Sequence, residues 1–214
     1  MIISRVMTRH PIFIHPDMTI NDVRSLMDKE KIGHLPVLNK DNALIGLVTR
    51  KDLLKAAPSA ATTLDMYEIS YLLSKMTAKD VMEKTVITAG EYDVVEEAAR
   101  IMADKCIGCL PVMRGRVLVG LITDTDLFRV FVNAFGARHH GVRITCSLQE
   151  KPGQIARLTH AIAEKGGNLL AFVTSEGDDA TKRRLTLKVA GTSREDLELV
   201  IKGLGDVELE DIRE

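Results

Sequence analysis

Two quartets of the form Thr-x-x-Asp stand in matching settings: Gly46-Leu47-Val48-Thr49-x-x-Asp52 and Gly120-Leu121-Ile122-Thr123-x-x-Asp126. A threonine at a helix start with an acidic residue three positions on is a capping box. It satisfies backbone N–H groups that the first helical turn leaves without partners. The same helix start attracts phosphate through its remaining N–H groups. Capping alone accounts for a lone quartet; two of them, each behind a glycine-led apolar strand, point to a ligand as well.

The surroundings of the two quartets differ. His34 precedes Leu35-Pro36, and Cys109 holds the equivalent place before Leu110-Pro111. Arg50 and Lys51 lie inside the first quartet, whereas Asp124 occupies the position of Arg50 in the second. Basic side chains thus gather beside the first quartet and not the second. The plain alternative for His34 is a strand residue half exposed at the surface. Cys106-Ile107-Gly108-Cys109 is a CxxC, yet one such pair without a second is a weak zinc signal, and Cys146 does not complete a site. Thioredoxin-type use would need a different local fold. A redox or metal sensor built on Cys106 and Cys109 is thus the lesser reading. His139-His140 reads as linker, and Gly203-Leu204-Gly205 lacks the strand context of a dinucleotide loop. No nucleophile and base can be brought together, so no catalytic residue and no metal ligand is assigned.

The elements that position the quartets come twice. Val6-Met7 recurs as Val81-Met82, Ile12 as Ile87, Met27 as Met102, and Ile32-Gly33-x-Leu35-Pro36-Val37 as Ile107-Gly108-x-Leu110-Pro111-Val112, all at an offset of 75. After one residue is dropped in a turn the quartets follow at an offset of 74. A fixed offset over so long a stretch means two copies of one supersecondary unit that pack on each other. Each copy reads as a short strand (12–14; 86–88) and an amphipathic helix burying Ile20, Val23, Leu26 and Met27, or Val95, Ala98, Ile101 and Met102. Two strands follow (35–38 and 43–48; 110–113 and 117–122), then a second helix from Thr49 or Thr123. Between the copies, 64–76 reads as helix and Pro58-Ser59 as linker.

This β-α-β-β-α unit, with Leu-Pro-Val after its first helix and Gly-h-h-Thr-x-x-Asp near its end, resembles a cystathionine β-synthase (CBS) domain, and two in tandem resemble the CBS pair. The resemblance covers about residues 1–135. It implies two clefts for adenosine-containing ligands: AMP, ADP, ATP or S-adenosylmethionine. Asp52 and Asp126 would accept from ribose hydroxyls, and Thr49 and Thr123 would touch ribose or phosphate. Adenine would lie near Ile14 and Leu35, or near Thr88 and Leu110. His34 would face phosphate, and Gly46 and Gly120 would allow close backbone approach.

Beyond the linker at 136–141 the pattern changes. Val142, Ile144, Cys146 and Leu148 alternate with polar residues, as a half-buried strand does. Pro152-Gly153 opens a helix with Ile155, Leu158 and Ile162 inward, ended by Gly166-Gly167. Strands at 169–174 and 184–189, a helix capped by Ser193-x-x-Asp196 and a last strand at 207–212 complete β-α-β-β-α-β, the ferredoxin-like order. That order, with Glu150-Lys151-Pro152-Gly153 at the first turn and Gly167-Asn168-Leu169 entering the second strand, resembles an ACT domain. The resemblance implies an amino acid held by Glu150, Gly153, Asn168 and Leu169 where two copies meet. The alternative is a domain that only dimerises.

The fold expected is therefore α/β plus α+β: CBS copies at 1–60 and 81–135 around an inter-repeat segment at 61–80, then an ACT domain at 142–214. With 29 basic and 30 acidic residues the chain shows no basic excess of the kind nucleic-acid binding needs. No apolar run nears the ~20 residues that span a bilayer. The N-terminus lacks a signal-peptide pattern, and three cysteines in 214 residues are no disulfide framework. A cytoplasmic regulatory protein is expected, a homodimer binding adenine nucleotide and an amino acid and acting on a separate metabolic enzyme. That arrangement is similar to stand-alone proteins of the acetoin-utilisation B family. The competing expectation is an oligomerising scaffold with empty clefts.

Overall fold

The computed structural model describes residues 1–56, 75–177 and 180–214. The expected linker at Pro58-Ser59 and the expected helix at 64–76, up to residue 74, lie outside them. The chain divides into two units, Met1–Leu127 and Phe128–Glu214, and the division falls within one helix, Asp124–Ala134.

In the first unit the repeat is obeyed down to single hydrogen bonds. The helix α1 (Ile20–Glu30) is capped by Thr19, whose hydroxyl accepts the Asp22 N–H at 3.2 Å. It buries Ile20, Val23 and Met27 at the spacing of one helical face. Its counterpart, Val95–Lys105, buries Val95, Ala98 and Met102. Both helices stop at a left-handed residue, Lys31 at φ 56° and Cys106 at φ 52°, equivalent positions in the two copies. The antiparallel hairpins follow: His34–Leu38 with Leu44–Thr49, and Cys109–Arg114 with Val117–Thr123. They share a register, His34 opposite Thr49 and Cys109 opposite Thr123, and each has an irregularity one step beyond its Pro-Val.

The expected first strands are shorter and shifted. In copy one only Ile14 bridges, in parallel, to Val37; in copy two Ala89–Gly90 pairs in parallel with Val112 and Met113. Ile12, Phe13 and Ile87 are exposed instead. Pro11 and Pro16 bracket the copy-one segment, and neither has an N–H to donate to a ladder.

What joins the copies is a reciprocal exchange of their N-terminal segments. Thr8–Arg9 pairs antiparallel with Leu121 and Gly120 of the second hairpin, while Glu83 and Leu47 exchange N–H···O bonds of 2.9 and 3.0 Å in the first. The Ile3 N–H donates to the Asp93 carbonyl at 2.9 Å, and the Ala78 N–H donates to the Met18 carbonyl at 2.8 Å. Ile2 bridges Val94 as Thr77 bridges Thr19. Ile3 and Ala78, both fully buried, fill the exchanged positions, and Ala78 belongs to the copy-one core with Ile14, Leu35, Val37 and Val48. Leu47, Cys109 and Leu121 form a small apolar cluster where the hairpins meet.

The second unit is the expected β-α-β-β-α-β. Its strands Val142–Gln149, Asn168–Glu176, Lys182–Ala190 and Val207–Arg213 form one antiparallel sheet, in which the first and third lie at the centre. Helices Gln154–Glu164 and Arg194–Leu204 bring Leu158, Ile162, Leu197 and Ile201 against Ile144, Cys146, Leu185 and Leu187 to form its core. No described helix is long and apolar enough to cross a membrane.

Candidate ligand-binding cleft

Both quartets are capping boxes. The Asp52 carboxylate accepts the Thr49 N–H at 2.9 Å and the Thr49 hydroxyl at 2.6 Å through one oxygen, Oδ2, and the Thr49 hydroxyl accepts the Asp52 N–H at 3.3 Å. The second copy repeats this at 3.0, 2.8 and 3.3 Å between Thr123 and Asp126. The same chemistry recurs at Thr77 and Asp80, on the surface, where the carboxylate takes the Thr77 N–H and hydroxyl at 2.8 Å each. The quartet by itself therefore builds a helix start; what it faces decides whether it does more.

Thr49 and Asp52 face a cavity of about 560 Å³. Its copy-one side is made by Gly33, His34, Leu47 and the start of the helix Arg50–Ala56. Its copy-two side is made by Glu83, Thr85, Val86 and Ile87 and by Lys105 to Cys109. Of the expected site residues, His34, Thr49 and Asp52 thus come together. Ile14, Leu35 and Leu110 do not join them: they are core side chains no more than 2% exposed. Thr88 is exposed and lies just beyond the wall, which ends at Ile87. The apolar wall comes from the other copy because the Glu83–Leu47 exchange lays Thr85, Val86 and Ile87 alongside the Thr49 helix start. Sequence reasoning assigned each quartet the strand of its own copy. No local pattern marks a segment that leaves its own repeat.

Gly46 and Gly120 make room for the exchange of segments. A β-carbon on Gly46 would collide with the Met82 thioether and come within 3.2 Å of the Glu83 carbonyl, and one on Gly120 would collide with Met7. The paired motif of glycine and methionine was visible in the sequence, at offsets of 75 and 74, although its meaning was not.

Charge in the cleft is uneven. The Arg50 guanidinium bonds Asp28 at 2.7 Å and the Met27 carbonyl at 3.0 Å, closing the end of α1. Lys51 and Lys105 line the cavity without an ion-pair partner among the described residues. Burial pushes the His34 imidazole below its ordinary value, partly offset by the Asp124 and Asp52 carboxylates, so the ring is neutral at pH 7. Its Nε2 and the Asp124 carboxylate both lie close over Gly108, 3.3 and 3.2 Å from where a β-carbon would stand. The half-exposed strand position read as the plain alternative is what the backbone provides, and the ring nevertheless lines the cavity. Cys106 is exposed on the cavity wall, and burial pushes the Cys109 thiol up to about 12. No group of three or more His, Cys, Asp or Glu among the described residues is arranged to hold a metal ion.

In the second unit, Glu150 is bound by the Arg183 guanidinium, which holds its carboxyl below the usual range. Gly153, at φ 88°, begins the helix with open space where a side chain would stand. Asn168 is exposed at the start of its strand, and Leu169 packs partly into the core. Glu150, Gly153 and Asn168 thus lie at element ends.

Residues 3–59 and 78–133 match the CBS domain family, and residues 140–213 match the TTHA0829-like ACT domain. A putative acetoin utilization protein (AcuB) from Vibrio cholerae is 33% identical, with a TM-score of 0.54 over 64% of this chain and 95% of that one. The CBS domain pair of protein MJ0100, solved in complex with 5′-methylthioadenosine and S-adenosyl-L-methionine, is 26% identical, with a TM-score of 0.53 over 65% of this chain and 98% of that one. CBSX2 in complex with AMP is 25% identical, with a TM-score of 0.50 over 61% and 96%. The first curated relatives matched bear enzyme names, and this chain spans 23% and 24% of their length.

Proposed function

Because the chain belongs to the CBS domain family and carries an ACT domain behind the pair, we propose that it is a regulatory sensor that binds an adenine nucleotide in the Asp52 cleft and acts in trans on a partner enzyme. The observation that carries this reading is the division of labour within one carboxylate. Oδ2 of Asp52, a residue lining the 560 Å³ cavity, holds the helix start, while Oδ1 has no hydrogen-bond partner among the described residues. An acceptor of that kind suits ribose hydroxyls. Ile87 and Val86 offer an apolar wall for a base, and Lys51 and Lys105 offer charge for phosphate. The ligand complexes of the two related CBS pairs support an adenosyl ligand.

The ACT unit takes an amino acid in this reading, its ammonium group meeting a Glu150 carboxylate already compensated by Arg183. The protein works as a homodimer in the cytoplasm, where its three unpaired cysteines stay reduced. Each ligand acts on the partner only through its differential affinity for two states of the assembly. A thermal-shift titration against AMP, ADP, ATP, S-adenosylmethionine and single amino acids tests the proposal. A ligand at about 100 times its dissociation constant adds about 2.7 kcal/mol. A nucleotide shift that disappears in Asp52→Asn is the expected result; no shift with any adenosyl ligand overturns it.

A further inference from the structure

The exchange that builds the Asp52 cleft has an equivalent on the other side of the repeat. Thr8–Arg9 pairs with Leu121 and Gly120 as Glu83 pairs with Leu47, so His10, Pro11 and Ile12 stand to Thr123 and Asp126 as Thr85, Val86 and Ile87 stand to Thr49 and Asp52. The Asp124 N–H donates to the Gly108 carbonyl at 3.0 Å, as the Arg50 N–H donates to the Gly33 carbonyl at 3.0 Å. The backbone frame of a second cleft is thus present, with the same capping box.

Its charges are reversed. The cavity at Asp52 carries Arg50, Lys51 and Lys105 against Asp52 and Glu83. At the equivalent positions stand Asp124, Thr125, Glu30, Asp126 and Thr8. One change runs the other way, Cys106 to Lys31. Three cations against two carboxylates become one cation against three. The Asp124 carboxylate accepts the Thr125 N–H through Oδ1, and Oδ2 points to Gly108 and the neutral His34 ring with no cation beside it among the described residues. A phosphate placed there would meet the Asp124 carboxylate where the first copy has Arg50, and like charge weakens binding and sets specificity by repulsion.

We propose that the two clefts take different ligands: the Asp52 cleft an anionic adenine nucleotide, and the Asp126 cleft an adenosyl compound without phosphate, neutral or positively charged at its 5′ end. Asp124 is the residue that separates the two classes. The inference rests on adenosyl binding as proposed above and deepens it.

Calorimetric titration of the full chain tests this, with AMP as the anionic probe and S-adenosylmethionine as the sulfonium probe. AMP should bind once per chain and be lost in Asp52→Asn. S-adenosylmethionine should still bind once when AMP is saturating, and be lost in Asp126→Asn. Asp124→Arg should admit a second AMP and weaken S-adenosylmethionine at least tenfold. Two AMP molecules on the unaltered chain, or simple competition between the probes for one site, overturns the assignment and leaves nucleotide sensing standing. Binding of neither probe removes both.

Discussion

The thioether of Met82 lies over Gly46 at the place where a β-carbon would stand, and the Glu83 carbonyl closes the same space from the side. Substituting Gly46 with alanine overfills this contact between the copies. A cost of about 1–3 kcal/mol is expected in urea unfolding. Met82→Ala in the same chain should recover part of it, giving a double-mutant coupling energy clearly different from zero. Additive losses would mean that the glycine answers to something other than Met82.

Asp52 and Asp80 make nearly the same capping contacts, but only Asp52 faces the cavity. Asp52→Ala should cost about 0.5–2 kcal/mol as a lost cap and also abolish nucleotide-induced stabilisation. Asp80→Ala should lower stability and leave the nucleotide shift intact. Its carboxyl is held down by the Thr77 N–H and hydroxyl, so its contribution is present at neutral pH and is lost as pH falls through the folded value. Thermal shift with and without AMP separates the two variants.

His34 gives the first unit a pH dependence of known sign. Burial, the largest cause, lowers its folded value, and Asp124 and, less, Asp52 oppose that shift. The unfolded ring titrates near 6.5. Between the folded value and about 6.5 the unfolded chain binds more protons, so stability falls as pH drops through this window. His34→Gln should flatten that part of a plot of urea midpoint against pH. An unchanged slope would assign it to other groups.

The three cysteines should react very unequally. Cys106 is exposed on the cavity wall, while burial pushes the thiols of Cys109 and Cys146 up to about 12. Since the thiolate is the reactive form, iodoacetamide near pH ~8 should label the native protein at Cys106 alone, read by mass spectrometry. Saturating AMP should slow that reaction. Equal labelling of Cys106 and Cys109 would return the CxxC to consideration as a redox pair.

Ile3 is fully buried, although it begins copy one, and its N–H bonds the Asp93 carbonyl of copy two. Ile3→Ala should cost about 2–5 kcal/mol. Hydrogen exchange should show the loss at the helix Val95–Lys105 before it shows at α1. The reverse order would contradict the exchange of segments.

Much of this was readable from residue order, and the part that was not has one cause. The helices, the hairpins and the two Thr-x-x-Asp starts follow from local periodicity and capping, which act within a few residues. That the side chains of Ile14, Leu35 and Leu110 are core was not legible, because short apolar segments next to a core can face inward or outward with equal local propensity. What decides between these is pairing at a separation of about 75 residues, as between Thr8 and Leu121. The same long-range pairing put Lys105, Thr85 and Val86 on the cavity wall. Sequence spacing gave no reason to look for them there. In the ACT unit each strand alternates over a single core and stays within its own fold, so its whole order was legible.

The exchange of N-terminal segments also bears on how the two copies could come to differ. Two separate chains of one repeat would meet by collision, and their clefts would vanish on dilution. Every substitution would also be imposed on both clefts at once. One covalent connection replaces that encounter with an effective concentration set by the connecting segment. It also releases the halves from symmetry. Arginine at 50 and aspartate at 124 can then coexist in a frame that keeps the same hydrogen bonds on both sides. Under the two-ligand proposal, a pair tied in this way would compare two chemical signals within one molecule at any protein concentration.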